Sequence, residues 1–394
     1  MLNETDKQRV RAFRQRLHAE LEPGLLTYKY DTDFNLLRWL QGFEGEETAT
    51  VVQKLRHHLR FRRAWALDDI ASSGLEKSFV AQAWPGGLVG PTGKDNNTLL
   101  RVDPSSRMDF VGLLKAASIS EIMRTLIFLF EAQLDQLKEH ERTTGEQSGI
   151  VVLFDYEGLK FDKDLVNVAT GPLKCLALFL PDHYIELFQH FILVNVPPCV
   201  YYIWKLLQPL LPEKTKQKVK ILGKHWKKDV ANYIELSRLP KHWGGTMEGD
   251  PLCRSKVNFP PWPKIPLELH YNPSMATVEQ AKLQHRRSIT ILAGNTEFLL
   301  VEVEKAGSKL KFHLMANAEF SFGVFFAGDD SSNGDVESME MVWPQFLRLA
   351  GPTQVPFREL VDCEKAGTYK FWFGNEFSWW SSLQIQIAYQ VIDH

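Results

Sequence analysis

The sequence predicts an α/β domain with a small helical unit before it and an all-β sandwich after it. Two unbroken apolar runs, residues 150–154 and 191–196, are separated by a helix-like stretch. Such runs suit strands covered on both faces, and the strand–helix–strand order implies a right-handed crossover between parallel strands. Further on, residues 309–314 and 383–387 alternate polar and apolar. Period two with one wet face marks antiparallel sandwich strands.

Residues 1–74 read as short helices. Val10, Phe13 and Leu17 form an i, i+3, i+7 stripe, and a second helix carries Phe34, Leu36, Leu37, Trp39 and Leu40. A third begins near Thr48, its expected N-cap, and runs to Trp65, with Gly42 and Gly45 parting the two. Residues 75–247 alternate strand and helix. The strand at 99–102 ends at Asp103 and Pro104, and Ser120 is expected to cap a long helix reaching Lys138. Residues 172–188 read as a helix interrupted by Pro181. Residues 248–273 hold Pro251, Pro260, Pro261, Pro263, Pro266 and Pro273, which predicts a stiff connector lying along a surface. Residues 274–394 make the sandwich, a usual domain size, with 328–335 as a polar loop. Trp372, Trp379 and Trp380 are read as filling its core, with a partner-binding surface as the alternative.

Composition narrows the function classes. The chain has 394 residues, 44% hydrophobic and 24% charged, which is ordinary for a globular protein of two or three domains. A net charge of -2 gives no global attraction to nucleic acid. Cys175, Cys199, Cys253 and Cys363 are scattered, which argues against a zinc or redox motif and for a reducing, cytoplasmic setting. Residues 1–7 are polar where a signal peptide would be apolar, so the Asn96 sequon is read as unused.

Motifs for chemistry are sparse. Residues 90–95 hint at a phosphate loop, but Leu88 stands where its first glycine belongs and Asp95 where its hydroxyl belongs, so a turn is predicted. His57 and His58 are adjacent on a helix and read as a solvated face. Asp155 ends a buried strand and is the best catalytic-looking carboxylate, yet aspartate is also a good strand-ending turn residue, and no nucleophile, metal set or cofactor loop accompanies it. The prediction is a protein that is not an enzyme and needs no cofactor.

The segment 197–211 is different. Val200, Tyr201, Tyr202, Ile203, Trp204, Leu206, Leu207, Leu210 and Leu211 cover nearly the full circumference of a helix. A water-facing helix shows one apolar stripe, so this one is either wholly buried or has a second apolar partner such as a membrane or a lipid. Lys214, Lys216, Lys218, Lys220, Lys224, Lys227 and Lys228 follow at once.

Residues 33–40, 55–62, 154–159, 195–211, 221–223 and 239–246, in that order and spacing, resemble the CRAL-TRIO lipid-transfer family. The C-terminal sandwich, with residues 373–378, is similar to a GOLD domain, and the layout is that of the supernatant protein factor and tocopherol-associated protein type. The resemblance implies an α/β lipid-binding CRAL-TRIO domain with an N-terminal helical subdomain, then an all-β GOLD-type jelly-roll sandwich. It implies a bound lipid ligand in a hydrophobic pocket, to which Ile150, Val152, Phe154, Phe179 and Leu193 are assigned. Ile203, Leu206, Leu207, Leu210 and Leu211 become a gate helix over it. Glu186 and Lys218 match the positions that engage an inositol phosphate headgroup, with Thr215 a turn before the lysine. Lys214, Lys216 and Lys220 are expected to touch a membrane surface transiently.

The chain also departs from the family. Gln41, Phe43 and Glu44 stand where yeast-type members carry basic residues, so no supporting phosphate contact is expected there. Ile150 and Val152 replace the hydroxyl residues of choline-lipid binders, leaving a greasier floor suited to a phosphoinositide or to a tocopherol-, sterol- or squalene-like ligand. The implied partners are a hydrophobic lipid, a transient membrane surface and a protein partner through the sandwich, with no nucleic acid. The alternative role is a lipid-sensing adaptor in membrane traffic.

Overall fold

The computed structural model describes residues 2–94, 96–249, 253, 255–274, 283–328 and 335–393. Three helices open the chain, α1 (Glu4–Glu20), α2 (Asp33–Gly42) and α3 (Thr48–Ala64). Asn3 and Thr32 cap the first two by accepting from Asp6 N and Asn35 N. Thr48 is the first residue of α3 rather than its cap, a place held by Glu47 without a side-chain bond. Val10, Phe13, Leu17, Leu36, Leu37, Trp39, Val52 and Leu55 pack as one small core.

The α/β domain is a five-stranded sheet in the order β1-β2-β3-β4-β5, formed by β1 (Gly87–Pro91), β2 (Leu99–Asp103), β3 (Ile150–Asp155), β4 (Phe188–Val194) and β5 (Val219–Ile221). The β1–β2 pair is antiparallel and the rest are parallel. Its helices are α4 (Phe79–Ala83), α5 (Phe110–Ala116), α6 (Ile119–Thr144), α7 (Leu165–Val168), α8 (Lys174–His183), α9 (Pro198–Leu207), α10 (Glu213–Lys218) and α11 (Trp226–Asp229). Helix α6 begins earlier than expected because Ser118, not Ser120, caps it in a capping box with Glu121, and Gly145 at φ 70° stops it. Gly90 belongs to β1, so the phosphate-loop hint is a strand end and turn; Asp95 lies outside the described residues. Strand β5 was hidden in sequence because lysines interrupt it.

One face of the sheet is closed. Leu100, Val102, Val151, Leu153, Ile192 and Val194 are covered by Trp226, Val230, Ile234, Leu239 and Trp243. Asp155 belongs to that face and has a structural role. It accepts from Trp243 Nε1 at 3.0 Å, Asn195 Nδ2 at 2.8 Å and Glu157 N at 2.9 Å, tying the ends of β3 and β4 to the last turn of the domain. The connector is anchored where it is described: Ile265 is buried and its N–H donates to Asp109, while Lys256 Nζ donates to Val89 O.

The sandwich comprises β6 (His285–Ile291), β7 (Thr296–Val303), β8 (Ser308–Ala316), β9 (Phe320–Gly328), β10 (Glu340–Leu349), β11 (Phe357–Cys363), β12 (Gly367–Gly374) and β13 (Leu383–Ile392). Two four-stranded antiparallel sheets, β10-β9-β12-β7 and β11-β8-β13-β6, enclose Phe312, Phe322, Phe357, Phe371 and Phe373. Most of the expected 328–335 loop lies outside the described residues. Trp372 is a core residue, but Trp379 and Trp380 are 86% and 89% exposed, so the expectation that all three fill the core is corrected.

The sandwich shares an aromatic seam with α3 of the helical unit and α8 of the α/β domain. Trp65 meets Trp343 at 5.6 Å and Phe346 at 5.4 Å between ring centroids, and Phe61 meets Phe346 at 5.1 Å. Arg60 donates to the carbonyls of Val336, Glu337 and Met339. Phe179, expected in the pocket, lies in this seam instead, stacked on His183 at 4.2 Å and on Phe346 at 5.6 Å. A helix this short turns Phe179 and Leu180 to different sides, and the sequence does not say which side meets another domain.

The histidines are also corrected. His58 is buried, with Nδ1 3.0 Å from Nδ1 of His183. Burial first, then neighbouring positive charge, pushes both well below the usual 6.5, and burial with Arg60 pushes His57 down to about 4. These groups stay neutral when folded and take up protons when unfolded. Their contribution is complete above about pH 6.5 and is lost as the pH falls below it, for His57 toward about 4. Denaturation midpoints are expected to drop across that window, and His58→Asn should flatten the drop; an identical pH profile would refute the assignment.

Candidate functional site

The sheet face opposite the closed one is apolar and incompletely covered. Strand register puts Ile150, Val152 and Phe154 of β3 in rows with Phe188, Phe191 and Leu193 of β4. Helix α6 and its neighbours bury Ile150 and Val152 completely, so these two, expected to line the pocket, are core residues instead. Phe154 and Phe191, on the central strands, remain half-buried beside half-buried Phe130, Leu176 and Leu180. Their rings form a continuous wall, Phe154 to Phe191 at 6.3 Å and Phe191 to Phe188 at 5.3 Å. Central-strand aromatics normally sit under a full layer of helix. Here the layer stops short and leaves these rings only partly covered.

Helix α9 leaves the C-terminal end of β4 through Pro197 and packs on the turn of residues 169–173 that leads into α8. It therefore links the end of the sheet to the segment that enters α8. Only Val200 and Leu207 are buried. Ile203 and Leu211 are half-buried, while Tyr201, Tyr202, Leu206 and Leu210 are 42%, 59%, 37% and 46% exposed. Of the two readings open for this helix, the structure selects the one with a second apolar face turned outward.

The charged pair sits at the other end of β4. Lys218 Nζ donates to Glu186 Oε2 at 2.8 Å, and each side chain is 21% exposed. Glu186 precedes β4 and Lys218 precedes β5, so adjacent parallel strands bring the two together across 32 residues. Along β4 the pair and the root of α9 stand about 20 Å apart at ~3.3 Å per residue, enough to hold the ~15 Å of one bilayer leaflet's hydrocarbon. Thr215 is half-buried on α10, a turn before Lys218. Lys214 is exposed and donates to Gln41 O, Lys216 pairs with Glu213, and Lys220 is half-buried on β5.

Two further features hold the pair in place. Glu186 has φ 52°, a left-handed conformation that costs a non-glycine residue about 1–2 kcal/mol. Gly42 makes room for that turn, since a Cβ there would lie 2.1 Å from Ile185 Cγ2. The sequence showed Gly42 only as a helix breaker, and Phe191, Leu176 and Leu180 only as generic core. No helix among the described residues is long and apolar enough to cross a membrane.

Residues 88–245 match the family profile described as the CRAL/TRIO domain. Residues 2–70 match a profile described as a domain of unknown function, and residues 271–394 one described as F28H7_8_C:-like, C-terminal domain. The all-β sandwich is thus matched under a description other than GOLD. The chain is similar to the CRAL-TRIO domain-containing protein F28H7.8 of Caenorhabditis elegans, 28% identical over 357 residues, covering 89% of this chain and 83% of that protein. It is also similar to the phosphatidylinositol/phosphatidylcholine transfer protein SFH7 of Arabidopsis thaliana, 24% identical over 251 residues, covering 62% of this chain and 44% of that one. The crystal structure of Sfh5 shares the fold, with TM-score 0.50 and 18% identity over 71% of this chain and 98% of that chain.

Proposed function

We propose that this protein encloses a hydrophobic lipid against the incompletely covered sheet face and exchanges it at membranes, with α9 as the gate. The observation that carries the reading is the uncovered apolar face, on which Phe154 and Phe191 stay half-buried while the reverse side of the same sheet is sealed. A two-chain lipid has on the order of 30 methylenes, and exposing them at ~0.8 kcal/mol each would cost more than ~20 kcal/mol. Unassisted passage through water is negligible at that cost, so a carrier must match the bilayer contact for contact. The transfer activity named for the Arabidopsis relative supports the same reading.

Lys218 supplies a point charge to a phosphate, and Glu186 accepts from inositol hydroxyls. With no headgroup bound the two satisfy each other. A phosphoinositide is the ligand this pair fits; a tocopherol-, sterol- or squalene-like molecule suits the half-buried rings of Phe154 and Phe191 and would leave the pair closed. The exposed residues of α9, with Lys214, Lys216 and Lys220, make the transient membrane contact from the cytoplasmic side, at ~1 kcal/mol per lysine near an anionic surface. The protein carries its ligand without transforming it, and we read the sandwich as GOLD-type.

Native mass spectrometry with organic extraction, on protein purified from cells, tests this. About one hydrophobic molecule per chain is expected; a chain that emerges empty and takes nothing from vesicles would overturn it. Lys218→Ala is expected to weaken phosphoinositide uptake about tenfold or more, the value of a lost charge-assisted hydrogen bond, while sparing an uncharged ligand. Equal loss of both would make the pair structural.

A further inference from the structure

We propose that the sandwich carries a second bilayer anchor, the tryptophan-tipped loop of residues 375–382 between β12 and β13. Phe377 is 45% exposed and Trp379 and Trp380 are nearly bare, with Leu292, Phe298 and Leu347 also exposed at the same end of the sandwich. The loop is held in shape from beneath. Asn375 Nδ2 donates to Ile291 O at 3.1 Å and Ser381 O at 2.8 Å, Ser378 Oγ donates to Ser381 O at 2.9 Å, and Ser381 N donates back to Ser378 Oγ at 3.2 Å. Arg348 lies 3.6 Å from the centroid of the Phe377 ring. The loop backbone is thus shaped before binding, which lowers the ordering cost of presenting two indoles outward.

A bilayer fits this surface better than a protein groove does. The tip is convex, and indole rings beside serine hydroxyls match the headgroup level, where tryptophan concentrates. Continuity with α9 is the second argument. Arg348 pairs with Glu319 at 2.9 Å, and Glu319 with Lys174 at 2.5 Å, at the start of α8. Residues 350–355 of the sandwich and 167–172 face each other across a groove of about 370 Å³. The end of the sandwich that carries the tip is therefore the end beside the 169–173 turn on which α9 packs. The tip's end of the sandwich thus neighbours the element that supports the gate, and one bilayer is proposed to reach both.

This inference rests on the exchange reading and is tested separately from it. The whole chain is sedimented with vesicles of phosphatidylcholine and phosphatidylserine, and its fluorescence is followed with brominated phosphatidylcholine. Wild type is expected to bind and to be quenched. The Trp379→Ser/Trp380→Ser variant should bind about tenfold more weakly or worse and lose that quenching, with an unchanged unfolding midpoint. The Trp379→Phe/Trp380→Phe variant should keep most of the binding. Equal binding by wild type and the serine variant, or no binding by wild type, overturns the proposal, the first outcome pointing to a protein partner. A chain that yields no lipid on extraction, yet needs both tryptophans for vesicles, overturns the carrier reading alone.

Discussion

Replacing Leu206 and Leu210 together by aspartate is expected to stop lipid exchange between vesicles and leave the fold intact. Both side chains are well exposed on α9, so the closed form loses little packing. The open form, laid in a bilayer, would carry two carboxylates where it had two leucines. A charge at the centre of a membrane helix costs about 2.5–3.5 kcal/mol, and half of that per residue already lowers occupancy of the open state about tenfold each. Leu207 differs: it is 8% exposed, and aspartate there would unfold its surroundings as well as block exchange. The measurement is transfer of a fluorescent lipid from donor to acceptor vesicles, read beside a melting curve. Wild-type transfer rates in the double variant would remove α9 from the mechanism.

The largest effect on stability is expected at Glu131. Its carboxylate accepts from Arg62 at 2.7 and 2.9 Å and from the Tyr184 hydroxyl at 2.9 Å, and Arg62 also reaches Asp68 at 2.6 Å. Both side chains of the Arg62–Glu131 pair are almost fully buried. Burial opposes the guanidinium charge, yet Glu131 more than offsets it and holds the pKa of Arg62 above its ordinary value. Glu131→Ala strands that charge and is expected to cost about 3–5 kcal/mol in chemical denaturation. Replacing both partners by apolar residues, Arg62→Met with Glu131→Leu, should restore only part of it, because the Tyr184 hydroxyl and Asp68 also lose a partner. A loss below about 1 kcal/mol for Glu131→Ala would show that water or Asp68 compensates the arginine. Tyr184 lies two residues before Glu186, so the same variant should also weaken headgroup binding.

Much of this was legible in the chain because local pattern and final contact agree. The 150–154 and 191–196 runs became central strands since their composition permits no wet face. The all-round apolar 197–211 segment declared its need for a second partner. Glu186 and Lys218 were found only through the family resemblance, because nothing local marks a pair joined across neighbouring strands. What stayed hidden depends on tertiary placement. His57 and His58 look solvated beside arginines, yet α8 lies over them. Phe179 reads like any pocket phenylalanine until the sandwich packs on it. Trp379 and Trp380 have the composition of a core, and only their position at a turn between strands β12 and β13 leaves them outside. Gly42 signalled a helix end; that it also admits Ile185 follows only from where α2 stops.

The seam of Phe61, Trp65, Phe179, Trp343 and Phe346 has a consequence for how this molecule would meet a surface. Two modules on a loose tether would each find a bilayer at their own depth and angle. Interlocked rings between them fix the distance from the indole tip to α9, so the tip acts as a depth gauge. Once it has settled among the headgroups, the height at which the flap can open is already set.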